Sequence, residues 1–254
     1  VIEAPPWEGP SSLQAPKPGW PGWKTDETAA AFLNNRYMAN TCRIAAGHLG
    51  SLLAQQRAEW DFSEDALTAI GKQALFYIAH ENAHVTKICV PQHELGADNI
   101  APLSQTIATC ASLRTLDLST NSLSRLADKQ SELGRLADAL GASTSLTDLN
   151  LNNNTLGPPG VRLVARALLS CTALQRLGFS RNEPAVEPAL AELLRGHPSL
   201  TSIELVEKLP RHLPAKARDA LGRALLENKA GKLGFLHCDV FSLGESTDAL
   251  VWPE

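Results

Sequence analysis

The stretch LTDLNLNNN, Leu146 to Asn154, spaces its apolar residues as Leu146, two variable positions, Leu149, one variable position, Leu151, two variable positions, then Asn154. Alternate residues of an extended chain point to opposite faces. Leu149 and Leu151 therefore share a buried face opposite Asp148, Asn150 and Asn152, and these three, with Thr147 at the strand's entry, are left for solvent or a partner. Asn154 ends the strand. Its amide both donates and accepts, so it can bond the backbone of the turn and of neighbouring turns.

The same frame occurs at Leu113, Leu116, Leu118, Asn121 and at Leu174, Leu177, Phe179, Asn182, so the starts lie 33 and 28 residues apart. A repeat of that length signals a solenoid. A helix follows each strand: Val161, Leu163, Val164, Ala167 and Leu168 fall at helical spacing after Pro158, Pro159 and Gly160. Leu190, Leu193 and Leu194 repeat the plan. Weaker copies flank the centre. Val85, Ile88 and Val90 fit with His93 in the asparagine place; Leu200, Ile203 and Leu205 fit with Lys208 there; Leu233, Leu236 and Cys238 fit with Phe241 there. Terminal repeats depart from the pattern because they close the core. The predicted units start at Val85, Leu113, Leu146, Leu174, Leu200 and Leu233, the last one truncated.

Over about Val85 to Leu243 these units resemble leucine-rich repeats of the ribonuclease-inhibitor type. The resemblance implies an α/β horseshoe with a parallel sheet on the concave side and helices outside. It also implies protein binding, commonly through the concave strands. The units are similar as well to the repeat domains of actin-capping tropomodulins and innate-immunity receptors, and no motif selects either.

The formal net charge is -4, with both signs spread along the chain and no basic tract, which argues against nucleic acid as the main ligand. No apolar run approaches the ~20 residues that span a bilayer. Cys110 and Cys171 stand three residues before a repeat's first leucine, and Cys89 and Cys238 on strands. That periodicity reads as core packing in a reducing, intracellular compartment, cytoplasm or an organelle such as the mitochondrion, and not as a disulfide framework. No cofactor is expected.

Three segments are expected: an extended arm at 1–24, a helical N-terminal cap at 25–84, and the solenoid with its C-terminal cap at 85–254. The arm holds Trp7, Trp20 and Trp23 among six prolines. Proline excludes a helix there, and indoles in an extended strap seek a pocket on the same chain or a partner. The cap reads as three helices, the second over Ile44 to Trp60. The third starts near Ser63 with Glu64 and Asp65 in its first turn and carries the stripe Leu67, Ile70, Ala74, Leu75 and Ile78.

His80-Glu81-Asn82-Ala83-His84 matches H-E-x-x-H, the motif in which two histidines one helical turn apart hold zinc and the glutamate activates a water. The helix would have to continue through His84, yet the first repeat strand begins at Val85. Lys87 and Val90 stand where the metzincin extension has Gly and His. No metal site is expected. A zinc-dependent hydrolase using His80, Glu81 and His84 is the alternative to the preferred reading.

That reading is a non-catalytic protein-interaction scaffold, an accessory subunit or adaptor of a multiprotein complex. The candidate concave face carries Lys87, Arg114, Asp117, Asp148, Asn150, Asn152, Arg176, Arg181, Glu204, Glu207 and His237, with Arg114 expected beside Asp148 and Arg176 beside Glu204. Phe235 is the aromatic on that face. Trp252 in the C-terminal tail joins the Trp arm as a candidate partner contact. Two insertions, Arg125 to Gly134 and Leu209 to Lys216, are expected to bulge from the turn side.

Overall fold

The computed structural model describes residues 52, 55–65, 67, 69–126, 130–182, 188–205, 223, 224, 227 and 235–237. Among these, seven short strands form one parallel sheet in chain order: β1 Glu59–Asp61, β2 Lys87–Cys89, β3 Thr115–Asp117, β4 Asp148–Asn150, β5 Arg176–Gly178, β6 Ser202–Glu204 and β7 Phe235–His237. Parallel neighbours need a crossover, and helices supply the described ones: α1 Ala69–Glu81, α2 Ala97–Thr109, α3 Gln130–Ala142, α4 Gly157–Leu168 and α5 Pro188–Gly196. The sheet is open, and the chain is a leucine-rich-repeat solenoid.

Register follows the sequence frame. Trp60, Ile88, Leu116, Leu149, Leu177, Ile203 and Leu236 align at the centres of successive strands. The first six are buried beneath the sheet. Leu118, Leu151 and Phe179 add a second buried row, and Leu103, Leu136, Leu140, Val164, Leu168, Leu190 and Leu194 meet them from the helices. Each large aliphatic buried this way contributes ~1.5–3 kcal/mol.

Asn121, Asn154 and Asn182 are fully buried. Asn154 donates to the carbonyls of Leu118 and Leu151, both at 2.9 Å, and accepts from the Asn121 N–H at 2.8 Å. Asn121 donates to Val90 O at 2.7 Å and accepts from the His93 N–H at 2.9 Å. Asn182 donates to Leu151 O at 2.8 Å. These amides tie each turn to the one before it. They also hold an unusual backbone: Gln92, Glu94, Thr120, Ser122, Asn153, Thr155 and Arg181 have φ between 48° and 60°. Left-handed non-glycine residues cost about 1–2 kcal/mol each, so the ladder's bonds offset a strain that recurs on both sides of the asparagine place.

Three sequence expectations change. Glu59–Asp61 is a strand paired with β2, where the pattern predicted the end of a helix over Ile44 to Trp60. Trp60 buries its ring completely and donates its indole N–H to Arg57 O at 2.8 Å. The following helix starts at Ala69 and not near Ser63. Asp61 accepts from both the N–H and the hydroxyl of Ser63, at 2.9 and 2.5 Å, which fixes a turn there instead of a cap. α1 is thus the outer helix of a repeat, with Leu67, Ala74, Leu75 and Ile78 buried as the stripe predicted. The first insertion does not simply bulge: Leu123–Leu126 forms a 3-10 turn that buries both leucines. Arm residues 1–24 and the insertion at 209–216 lie outside the described residues.

α2 contains Pro102, which has no N–H for the carbonyl of Asp98 one turn earlier. Gln73 of α1 donates to that carbonyl at 3.1 Å. The proline's missing bond thereby becomes a link between consecutive helices.

Candidate functional site

Side chains at the first and third residue of β1 to β6 point away from the core, and all of them but Glu59 line a trough of about 580 Å³. The first row runs Glu59, Lys87, Thr115, Asp148, Arg176, Ser202; the second runs Asp61, Cys89, Asp117, Asn150, Gly178, Glu204. Phe235 and His237 continue the two rows in register.

The second row is built around one backbone requirement. The N–H two residues beyond it turns away from the ladder and needs an acceptor. Asp61 serves Ser63, Asp117 serves Ser119 at 2.8 Å, and Asn150 serves Asn152 at 3.0 Å. Cys89 has no acceptor to offer, and two residues on stands Pro91, which has no N–H. Gly178 has none either, and the Ser180 N–H is taken by Asn152 of the neighbouring repeat at 2.7 Å.

Gly178 is also why Asn152 can reach. A Cβ at 178 would stand 2.8 Å from Asn150 Oδ1 and 3.0 Å from Asn152 Nδ2. Across the empty place Asn152 donates to Glu204 Oε2 at 3.0 Å, two strands away, while Asn150 donates to Asp117 Oδ2 at 3.0 Å. The floor of the trough from β3 to β6 is therefore pinned by its own hydrogen bonds, and a ligand would meet side chains already in place.

Lys87 pairs with Glu59 at 3.6 Å, and Arg176 pairs with Asp148. Asp117 and Glu204 take part in no ion pair among the described residues and hold amide hydrogens instead. The trough's carboxylates Asp61, Asp117, Asp148 and Glu204 outnumber its cations Lys87 and Arg176. Cys89 lies in this setting. Burial, with Asp61 next, pushes its thiol up to about 11, so it is an unreactive small hydrophobe at neutral pH.

The expected charge pairs are exchanged. Arg114 stands one residue before β3, and its guanidinium donates to the carbonyls of Ala111 at 2.7 Å and of Leu113 and Ser145, each at 3.4 Å. It locks the loop entering the strand and does not meet Asp148, whose cation is Arg176. Glu204 has Asn152 in the place expected for Arg176. Arg181 belongs to the left-handed turn after β5, and its carbonyl accepts from Thr155 N at 3.2 Å. Glu59 and Asp61 escape the sequence reading because the helix predicted over Ile44 to Trp60 overlaps β1 and hides the strand. The available signal was the repeat itself: 28 residues back from Ile88 and Val90 stand Trp60 and Phe62. Trp7, Trp20, Trp23, Glu207 and Trp252 lie outside the described residues.

The H-E-x-x-H segment does not form the paired-histidine geometry. α1 ends at Glu81, and Asn82 Oδ1 accepts from the N–H groups of His84 and Val85 at 2.8 and 2.9 Å, which turns the chain into β2. His80 stays on the helix with Nδ1 2.5 Å from Thr109 Oγ1 and Nε2 3.1 Å from Gln105 Nε2. The Thr109 hydroxyl donates to Gln105 O at 2.7 Å. This sets the roles: His80 Nδ1–H donates to Thr109, and Nε2 accepts from Gln105. Both ring nitrogens serve the α1–α2 contact.

No family model matches the sequence. The Tonsoku-like protein of Mus musculus is 30% identical over 141 residues, which is 50% of this chain and 10% of that protein. The matched stretch thus represents about a tenth of that relative's length. Among solved structures, actin-binding site 2 of leiomodin-1 is similar with a TM-score of 0.46 and 16% identity, covering 62% of this chain and 87% of its own. The tropomodulin C-terminal domain of Caenorhabditis elegans gives a TM-score of 0.42 and 11% identity, covering 63% and 92%. Among the described residues no helix is long and apolar enough to cross a membrane.

Proposed function

We propose that this chain is a non-enzymatic interaction scaffold, an accessory subunit or adaptor of a larger protein assembly, that receives a polar segment of its partner in the concave trough. The observation that carries the reading is the pinned floor: Asp117, Asn150, Asn152 and Glu204 hold one another across four strands over Gly178. Side chains fixed before binding lose little freedom when a partner arrives. The trough lacks the aromatic anchors of an apolar interface among its lining residues. It offers carboxylate and amide acceptors, which suit a segment rich in N–H and cationic groups.

The strand-plus-full-helix unit supports the ribonuclease-inhibitor type of repeat. The buried free thiols Cys89, Cys110 and Cys171 fit a reducing, intracellular setting. In this reading the Trp/Pro arm at 1–24 is a second attachment to the assembly, with Trp7, Trp20 and Trp23 as its anchors. Phe235 and Trp252 would extend the contact at the other end.

The test is differential capture from cells by the tagged full chain. Proteins bound through the trough are retained by wild type and by an Arg166→Glu variant on exposed α4. They are lost at least tenfold by Asp117→Lys with Glu204→Lys, compared below the lower melting temperature of this variant. A partner profile indifferent to the trough variant and altered by Arg166→Glu would move the site to the helical face.

A further inference from the structure

The joint between the first two repeats differs from every described joint after it. In the central repeats the buried asparagine reaches back into the preceding turn. In the second repeat that place is His93, which is 7% exposed. Its Nδ1 meets Pro91 O, within its own turn. Its Nε2 is buried with no hydrogen-bond partner. The ring thus faces the first repeat only through the carbonyl of Asp65, with no hydrogen bond closed at Nε2. The link comes from the other direction: Lys72 of α1, itself 6% exposed, donates from Nζ to His93 O and, at 3.2 Å, to Glu94 O.

We infer that Lys72 and His93 form an acid-released staple: protonation of the His93 ring frees β1 and α1 from the sheet while the asparagine-laddered repeats stay closed. Lys72 of α1 acts on the ring by charge and the turn after β1 brings the Asp65 backbone to it; the other charged groups on the neighbouring segments are Glu94, Arg125 paired to Glu94 at 3.5 Å, and Asp98 in the first turn of α2. Backbone carbonyls at Pro91, Asp65 and Val90 favour a charged ring. Burial first, and the Lys72 ammonium next, disfavour it and prevail, holding the imidazole below its usual range. Burial also lowers Lys72, against the pull of Glu94. A second charge on His93 thus appears beside a cation that is already poorly solvated, and the carbonyls that hold Lys72 belong to the residues that must move. The sign follows. The unfolded ring takes its proton near 6.5 and the folded ring only at lower pH, so stability present above about 6.5 is lost as pH falls through the folded value.

Hydrogen exchange of the full chain between pH 7.5 and 5, corrected for intrinsic rates, tests this. Protection of 59–81 should fall by up to tenfold per pH unit below about 6.5, one proton's worth, ahead of 113–151. His93→Asn, which restores the repeat's own residue, should hold 59–81 closed to lower pH. Lys72→Met should lower protection of 59–81 at every pH. Loss of protection at the same pH in wild type and His93→Asn, or no effect of Lys72→Met, overturns the staple. In wild type alone, the His93 C2–H resonance should titrate below 6.5 together with the loss. A midpoint at or above that value, or titration with 59–81 still protected, overturns it equally.

Discussion

The joints of β3–β4 and β4–β5 are held by a neutral amide with every hydrogen bond made; the joint of β1–β2 is held by a buried ammonium and leaves a ring nitrogen unmade. Both sit under the same parallel ladder and similar helix packing. What differs is the kind of group spanning the turn side. Asn154 satisfies carbonyls on two repeats and the N–H groups of Asn121 and Leu123. His93 and Lys72 fill the corresponding space with groups whose charge depends on pH. The same solenoid thus has a rigid centre, where the trough floor lies, and a conditional end.

The largest way to break this contrast is Asn154→Ala. It strands the Leu118 and Leu151 carbonyls and the Asn121 N–H, each costing about 1–3 kcal/mol when buried and unpaired, in a turn already strained at Asn153 and Thr155. We expect a loss of about 3–5 kcal/mol in urea unfolding and a matching drop in melting temperature. His93→Asn at pH 7.5 should instead be close to neutral. Equal losses from both would mean that the ladder is no stronger than its end.

Leu149→Ala comes next. Leu149 is buried at the centre of β4, and truncation in a packed core costs about 2–5 kcal/mol. Ala at this place keeps every charged and amide side chain of the trough. Partner binding measured below the melting transition should survive, which separates the core from the face.

The strand register, the asparagine turns and the parallel order were legible because the apolar frame imposes them: a slip of one residue would expose Leu149 and bury Asp148. β1 was not. Arg57 stands where the frame wants an apolar residue and Asp65 where it wants Asn, so only Trp60 and Phe62 carried the signal, inside a stretch that also suited a helix. Charge pairing departs from the strand pattern for a different reason. Arg114 precedes its strand by one residue, and at that offset a guanidinium meets loop carbonyls before it meets the next strand. The bond from Asn152 to Glu204 depends on a missing side chain at Gly178 and on a reach of two strands. No pairwise reading of neighbouring strands contains it.

The next effect is set by pH. His197 is buried, with Nε2 3.1 Å from Leu168 O and Nδ1 accepting from the N–H groups of Ser199 at 3.3 Å and Leu200 at 3.0 Å. Nδ1 is thus the acceptor and Nε2–H the donor, and a second proton would have to enter between two N–H groups. Burial lowers His197 as it does His93, against the carbonyls of Leu168 and Cys171. Both give stability that is complete above about 6.5 and is lost as pH falls through their folded values, at up to ~1.4 kcal/mol per pH unit per proton. Urea midpoints between pH 7.5 and 5 should fall with that sign. His197→Gln should flatten the slope near 188–205 and leave the early opening of 59–81 in place, since the two rings lie in different joints. A slope that rises toward acid pH would reverse the assignment of both rings as neutral.

The smallest effect is expected from Asp148→Ala, and it is the most informative about the trough. Asp148 is one residue from Leu149 but on the opposite face. Its carboxylate accepts from the Thr147 hydroxyl at 2.7 Å and pairs with Arg176, whose side chain is 66% exposed. The Asp148 side chain is itself 17% exposed, but a pair open to solvent on its arginine side contributes about 0–1 kcal/mol, so the melting temperature should move little beside that of Leu149→Ala. The consequence for binding is larger than for folding. Removing Asp148 releases the Arg176 guanidinium into the first row, next to the carboxylate and amide acceptors of the second. A partner segment recognised through its own cations would then meet an added positive charge and bind more weakly, most clearly at low salt, where exposed charges are least screened. Weakening that disappears as salt is raised would place the partner's cations over β4 and β5. A large loss of stability from this substitution would show instead that the face of β4 is buried, and the trough would cease to be a surface at all.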